Sequence, residues 1–588
     1  MNSFTLVLLL FVNTFFALSN ASDSKNIVYK HSPLLTNDIN FIHTTDTHTW
    51  LKNKFGVDWG NYYDFLKSFR SGVESKGQDL IVIDTGDKID GNGIGDATIP
   101  KGIMSYEVFN MNMDNYDLLT LGNHELYTES SSTIEYYNTA KNNDKYVCSN
   151  VEYLDDGQWT AFGQKYKYFK TNVNKKNVLA ISFLFDFQRF NALTKVTPIE
   201  KEIEKDWFKK DLLEKFNDEN VDILIVFGHL VIQHGQNQEL LLLHNTLRKH
   251  FKNTVIQYFG GHSHIRDFVS IDDKSTAMQS GRFCETLGFV SINLDQEPSF
   301  FRKYVDFTKQ SFDYHLKNIE GDNINWNIKN VISRKIDNLY KILNLEKVVG
   351  YIPSTYYMSG KPLTSPSNLF NLIRKHVLKL LEKPEGRENI KRIITINTGL
   401  IRSDLFEGNF TENTKFQVSP YENKWKYITL PYHFAKHINE YLNTQSSIVN
   451  LMALPSLSSP KSKPVMDIEF EYLQKHDEST FKHRTKLPMG PVTCDDFGCD
   501  GEDTLHEPLR YYKMPNVVEY SDVVNSETEE VDYVYLDFFE LEVFKALETM
   551  NYNGLIKGTS YDASSVVPLL QKYFNMKEQN DVDLETVL

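Results

Sequence analysis

Cysteine is scarce in this chain. Four in 588 residues cannot build a disulfide scaffold, so the fold must rest on burial of apolar surface. Basic residues are in deficit: 63 Lys and Arg face 78 Asp and Glu, a net charge of −15. That balance excludes a protein that grips a nucleic-acid polymer through a basic surface. Long apolar runs are missing beyond the N-terminus, so no stable membrane span is expected. No internal repeat is visible, and the last residues, Asp-Val-Asp-Leu-Glu-Thr-Val-Leu, carry no lipidation or retention signal. With 41% hydrophobic and 24% charged residues the composition is that of a globular protein, and the length is enough for two to four domains at ~100–200 residues each.

What is present starts with an apolar run from Phe4 to Leu18, with small residues Ala17, Ser19 and Ala21 at its end. A secretory signal peptide over 1–21 is the reading, with an extracellular or vacuolar/lysosomal lumen as destination. No Lys or Arg precedes the run, so an uncleaved anchor is the competing reading. Sequons at Asn20 and Asn409 are compatible with the secretory route.

The first half repeats one grammar: an apolar, β-rich run ends in a polar cluster. Phe41–Ile42 leads to Asp46-Thr47-His48, and Leu80–Ile83 leads to Gly86-Asp87. Leu118–Leu121 leads to Gly122-Asn123-His124-Glu125, Ile223–Phe227 to Gly228-His229, and Val255–Phe259 to Gly260-Gly261-His262-Ser263-His264. Short, near-continuous apolar strands read as buried, and they alternate with helical stretches such as 59–69 and 203–216. The expected architecture is therefore a layered α/β sandwich with its polar clusters at strand ends, where such sheets build sites. Apolar positions at Ile328, Val331, Ile332, Ile336, Leu339, Ile342 and Leu343 follow helical spacing, which predicts a connecting helix. A less regular α/β region follows, with a Pro/Ser/Lys-rich break at 455–464 that reads as an exposed loop.

Carboxylates, imidazoles and one amide oxygen suit borderline-to-hard divalent ions such as Zn, Mn or Fe. Asp46, His48, Asp87, Asn123, His229, His262 and His264 are too many for one ion but fit two that share a carboxylate. Two such ions clamp the attacking and leaving oxygens of an in-line displacement at phosphorus, with an acidified water between them. The five clusters, in this order, resemble the calcineurin-like metallophosphoesterase signature Asp-x-His … Gly-Asp … Gly-Asn-His-Glu … Gly-His … Gly-His-x-His. The resemblance implies that Asp46, His48 and His264 hold one metal, that Asn123, His229 and His262 hold the other, and that Asp87 bridges. It implies that His124 protonates the leaving alkoxide or steadies the phosphoryl oxygens, so that His124, Asn123 and Asp87 carry the catalysis. Gly86-Asp87-Lys88-Ile89-Asp90-Gly91 departs from the Gly-Asp-x-x-Asp-Arg-Gly of Ser/Thr protein phosphatases.

In the second half, Asn397-Thr-Gly399-Leu-Ile-Arg402 precedes Pro420-Tyr421-Glu-Asn423, and Ser367-Asn-Leu-Phe-Asn-Leu372 lies upstream. These resemble the C-terminal domain of the 5′-nucleotidase/UDP-sugar hydrolase family, in a divergent, fungal- or protist-type form. The implied fold is α/β throughout: a four-layer metallophosphoesterase β-sandwich flanked by helices over 38–305, a connecting helix over 320–347, and a C-terminal α/β 5′-nucleotidase-type domain over 350–588. Asn397, Gly399, Arg402 and Tyr421 are the implied substrate-binding residues. A guanidinium fork suits the anion, and a ring face suits a base. Core or interface packing is the alternative for Tyr421.

Three departures stand out. The stretch Leu363-Thr-Ser-Pro366 lacks the arginine that nucleotidases place before the Ser-Asn segment. The second base-stacking segment is replaced by an acidic stretch, 494–506, in which Phe497 offers an aromatic and Cys494 and Cys499 a possible disulfide. Tyr127 stands where the family has the Asp that orients the catalytic His. The expected partner is a small phosphate ester, most simply a nucleoside 5′-monophosphate, with cyclic nucleotides or nucleotide sugars as alternatives. A binding protein with a retired site is the rival reading, and the intact ligand set argues against it.

Overall fold

The computed structural model describes residues 33–585 except 233–237, 296, 320, 446–511 and 562. The expected signal peptide, the break at 455–464 and the acidic stretch with Cys494, Phe497 and Cys499 lie outside the described residues.

Two stacked sheets form the first domain. One has the strand order Ser299–Asp306, Thr286–Asn293, Ile39–Thr44, Asp79–Asp84, Leu118–Leu119. The other runs Arg266–Asp272, Ser275–Ser280, Val255–Gly260, Ile223–Phe227, Asn177–Ser182, Tyr166–Lys170. The continuous apolar runs are explained by burial on both faces of each strand. Ile81 and Ile83 face the opposing sheet, while Leu80 and Val82 pack under helices; Ile223, Ile225 and Phe227 likewise meet the other sheet, with Leu224 and Val226 on the helical side. Each buried Ile, Leu or Phe contributes about 1.5–3 kcal/mol. The layers are thus helix, sheet, sheet, helix.

The helix Trp59–Ser75 starts at Asp58, whose side chain accepts from the Gly60 and Asn61 amides in a capping box. Its Tyr62, Phe65, Leu66, Phe69 and Val73 form one apolar stripe, and the Phe65 ring stacks on Phe312 at 4.2 Å. A second helix, Val331–Ile342, lies across it and buries Ile332, Ile336, Leu339 and Tyr340 in the same core. Asn330 pins the two together by donating to the Gly60 carbonyl at 2.7 Å and the Asp64 carboxylate at 2.9 Å. Ile328, Val331 and Ile342, which the helical pattern placed on the apolar face, are 70%, 60% and 78% exposed. The helix is shorter than the expected 320–347, so Ile328 precedes it, and its buried stripe packs against the helices Trp59–Ser75, Gly93–Asp96 and Ile103–Asn110 while Val331 and Ile342 lie at its two ends.

Beyond this helix the chain builds its second core. A five-stranded sheet has the order Val517–Ser521, Lys391–Asn397, Glu530–Leu536, Trp425–Pro431, Thr559–Ser560. The helix Tyr432–Thr444 covers it with Glu540–Thr549 packed alongside, the first turns of Val566–Glu585 pack on Val348–Ile352 and the turns 373–380, and Trp425 is buried within the same core.

Candidate active site

The polar clusters at the strand ends converge where two loops bond to each other: the Asp46 amide donates to the Gly86 carbonyl at 3.0 Å, and the His48 amide to the Asp87 carbonyl at 3.0 Å. Backbone strain concentrates here. Asp46, His48, Asp87, His262 and His264 all have positive φ, between 45° and 76°. Such conformations cost roughly 1–3 kcal/mol each and persist only where the surroundings over-determine them. Two glycines are required by close approach: a Cβ on Gly122 would lie 2.1 Å from Asp87 Oδ1, and one on Gly261 2.4 Å from Thr45 Oγ1.

Two groups of potential ligand atoms result, Asp46, His48, Asp87 and His264 on one side and Asp87, His229 and His262 on the other, each within 4.8 Å. Asp87 belongs to both. Its Oδ2 lies 3.0 Å from His229 Nε2 and 3.7 Å from His48 Nε2, while Asp46 Oδ1 lies 3.2 Å from His264 Nε2. His48 and His229 turn Nδ1 to the carbonyls of Ile89 (2.7 Å) and Thr85 (2.9 Å), which fixes the rings and leaves Nε2 for a ligand. Asp46 Oδ1, Asp87 Oδ2, Asn123 Oδ1, His229 Nε2 and His262 Nδ1 are buried without a hydrogen bond. Orphaned buried acceptors of this kind are costly unless a cation meets them. The donor set therefore fits two divalent ions.

Electrostatics agree. Burial, together with neighbouring cationic groups, holds the His48 and His264 imidazoles well below their usual pKa, and burial takes His262 down to about 3. Burial also opposes the charged form of His229, but Asp87 and Asp46 outweigh it and push its pKa up to about 9. Three neutral rings and one that trades a proton for a cation are what a metal centre needs.

His124 stands at the rim of this cluster. Its amide donates to Asp87 Oδ1 at 2.9 Å, its Nδ1 meets Asp90 Oδ2 at 2.7 Å, and its Nε2 is buried without a partner. Asp90, not residue 127, is the carboxylate that orients His124. Tyr127 has another place: its ring stands edge-on to His124 at 5.0 Å, and its hydroxyl accepts from Asn123 Nδ2 at 3.1 Å, which leaves Asn123 Oδ1 free. The missed partner had a signal, an Asp three residues after Asp87, but only the fold shows that it turns inward. Burial resists ionisation of Asp90, yet Lys101 and His124 together hold its carboxyl well below the usual range. Glu125, the last residue of the third cluster, binds no metal group. It accepts from the amides of Gly122, Asp87 and Lys88 at 2.6, 3.0 and 2.7 Å and so ties the two loops together.

The second domain closes over the cluster. Arg402 is 3% exposed, and its Nη2 lies 3.3 Å from His48 Nε2. Asn397 ends the strand Lys391–Asn397, and Gly399 sits in the turn Thr398–Leu400 that leads to Arg402. Tyr421 is half-buried, with Lys101 Nζ 5.8 Å from its ring centroid, and the same Lys101 donates to the Pro420 carbonyl at 2.9 Å. Both described cysteines, Cys148 and Cys284, are buried free thiols and do not pair with each other.

Fold and cluster together define a metal-dependent phosphoester hydrolase. The calcineurin-like phosphoesterase family model matches residues 39–266, and the NAD nucleotidase C-terminal domain model matches 355–544. An uncharacterized protein of Saccharomyces cerevisiae is 44% identical over 92% of this chain and 93% of its own length. A secreted protein of Arthroderma benhamiae is 33% identical over 82% of this chain and 81% of its own. The crystal structure of a 5′-nucleotidase from Candida albicans superposes with a TM-score of 0.81 at 37% identity, covering 93% of this chain and 99% of that one. The chain belongs to the calcineurin-like metallophosphoesterases with a 5′-nucleotidase C-terminal domain, and it hydrolyses phosphate esters.

Proposed function

We propose that the protein is a 5′-nucleotidase-like phosphatase that releases phosphate from nucleoside 5′-monophosphates. The observation that carries this reading is Arg402, which the second domain delivers to within 3.3 Å of His48. A buried guanidinium beside a cation site has a use only when a multiply charged anion lies between them. The likeness to the Candida albicans 5′-nucleotidase supports the same substrate class.

Asp46, His48, His264 and Asp87 would hold one divalent ion, and Asn123, His229, His262 and Asp87 the other, with Zn, Mn or Fe suiting the donors. The ions would supply Lewis acidity at the phosphoryl group and an activated water. His124, through Nε2, gives its proton to the departing 5′-oxygen, with Asp90 holding the ring by Nδ1. Arg402 takes phosphoryl oxygens in its fork, and Tyr421 offers its ring to the base. Asn397 and Gly399 shape the turn that aims Arg402. A secretory or lumenal setting accords with the relative named as secreted, and among the described residues no helix is long and apolar enough to cross a membrane.

The test is phosphate release from AMP and from p-nitrophenyl phosphate, with Mn or Zn supplied, at pH 5 to 8. Turnover of AMP is expected. Release from the nitrophenyl ester alone would remove the nucleotide from this reading, and silence on both would bring forward a retired binding site. An Asp90→Asn variant should lose roughly 10- to 100-fold in kcat with metal content unchanged and a smaller effect on KM, because Asp90 orients His124 and otherwise meets Lys101, not the ligand groups. A loss confined to KM would give Asp90 a substrate-binding role instead.

A further inference from the structure

We propose that Arg282 is a second substrate-anion residue, supplied by the metal-bearing domain, and that with Arg402 it forms a two-guanidinium clamp selective for the dianionic phosphoryl group of a monoester. The inference rests on the phosphate-ester reading of the site and adds the charge state that the site prefers.

Arg282 lies in the turn between the strands Ser275–Ser280 and Thr286–Asn293. Gly281, Phe283 and Cys284 in that turn have φ of 83°, 56° and 51°, and its Phe283 amide donates to the Asp46 carbonyl at 2.8 Å. The turn is thus strained and hung directly on a metal-ligand loop. The Phe283 ring stacks on Trp50 at 5.0 Å and stands edge-on to His48 and His264 at 5.5 and 5.7 Å. The Arg282 guanidinium rests on that ring, 4.4 Å from its centroid, and is close enough to His264 to repel the protonated form of its ring. There it meets Arg402, whose carbonyl lies 3.5 Å from Arg282 Nη1.

Two cations are buried near enough to repel each other, Arg282 at 7% exposure and Arg402 at 3%, and each has a buried Nε without a partner. Among the described residues neither guanidinium has a carboxylate within ion-pair distance. Glu285, which pairs with Lys54 at 2.7 Å, and Asp404, which accepts from the Met358 amide at 2.7 Å, offset part of the Arg282 charge from a distance without pairing with it. Burial moreover raises the Asp404 pKa and disfavours its charge. Like charges stored in a dry seam destabilise a protein unless a ligand neutralises them. A monoester phosphate near neutral pH carries about two charges and three free oxygens, which matches two forks; a phosphodiester carries one and leaves a guanidinium unmatched.

The experiment titrates inorganic phosphate into the metal-loaded protein by calorimetry and compares Arg282→Gln and Arg282→Lys. Phosphate affinity should fall roughly ten- to a hundredfold in the Gln variant, and by a smaller factor in the Lys variant, which keeps the charge and loses the fork, while bound metal stays at two ions in both. In parallel, kcat/KM for p-nitrophenyl phosphate should fall by a similar factor, and that for bis(p-nitrophenyl) phosphate by much less. Unchanged phosphate affinity in the Gln variant with both ions bound would overturn the clamp; if that variant fails to fold, unchanged affinity in the Lys variant would do so. Arg282-dependent phosphate binding without AMP turnover would sink the nucleotidase reading and leave the clamp. AMP turnover indifferent to Arg282 would do the reverse.

Discussion

Asp87→Asn should abolish phosphate release, by on the order of 10³-fold or more, and reduce bound metal from two ions to one or none. Asp87 Oδ2 sits between the two groups of ligands, 3.0 Å from His229 Nε2 and 3.7 Å from His48 Nε2, so Asp87 is the carboxylate that would be shared by two ions. Asparagine keeps the shape and removes the charge, leaving Asp46 as the one carboxylate for two divalent cations. The variant also weakens the Asp87 Oδ1 contact to the His124 amide, so the acid would lose its place together with the metal. Metal analysis of the purified variant and its thermal unfolding check this. Parent protein should melt higher with ions than after chelation, since ligand present at about 100 Kd adds about 2.7 kcal/mol, and the variant should lose most of that difference. Full metal occupancy in Asp87→Asn would mean that the two groups bind independently and that the bridge is not needed.

His124→Asn should act on the chemistry and spare the metals. With AMP, whose 5′-alkoxide is a poor leaving group, kcat is expected to fall roughly 10²- to 10⁴-fold. With p-nitrophenyl phosphate the loss should stay below about tenfold, because nitrophenolate departs without a proton. His124 Nε2 is buried, unpartnered and 3.9 Å from Asp87 Oδ2, which places this nitrogen at the edge of the ligand cluster and not within it. An equal loss on both esters would assign His124 to the phosphoryl oxygens and take the leaving-group role from it.

The site was legible in the sequence to the extent that its signals are local. Each ligand follows directly on an apolar strand, so Asp46, His48, Asp87, Asn123, His229, His262 and His264 could be picked out cluster by cluster. The structure brings the six Asp and His side chains into two groups that share Asp87, with Asn123 Oδ1 buried and unpartnered beside His124, because parallel strands buried on both faces end at one edge of their sheets. Asp90 was legible in principle, since it lies three residues beyond Asp87, but the family resemblance points to position 127 instead. Whether either side chain turns toward His124 depends on the left-handed backbone at Asp90, φ 66°, and on Lys101 across the loop, and neither has a mark in the local sequence. Arg282 was invisible, because its neighbour Arg402 lies 120 residues away in another domain.

The sequence by itself determined the class of fold and the donor types gathered at the strand ends. Residue type and strand period act over a few neighbours, and both are written there in full. Only the tertiary structure decided which carboxylate orients the acid, why Tyr127 can stand where an Asp was expected, and how two buried arginines meet at the seam. Those outcomes depend on which loops approach each other when the cores close, and that is settled by packing over the whole chain rather than by any segment of it.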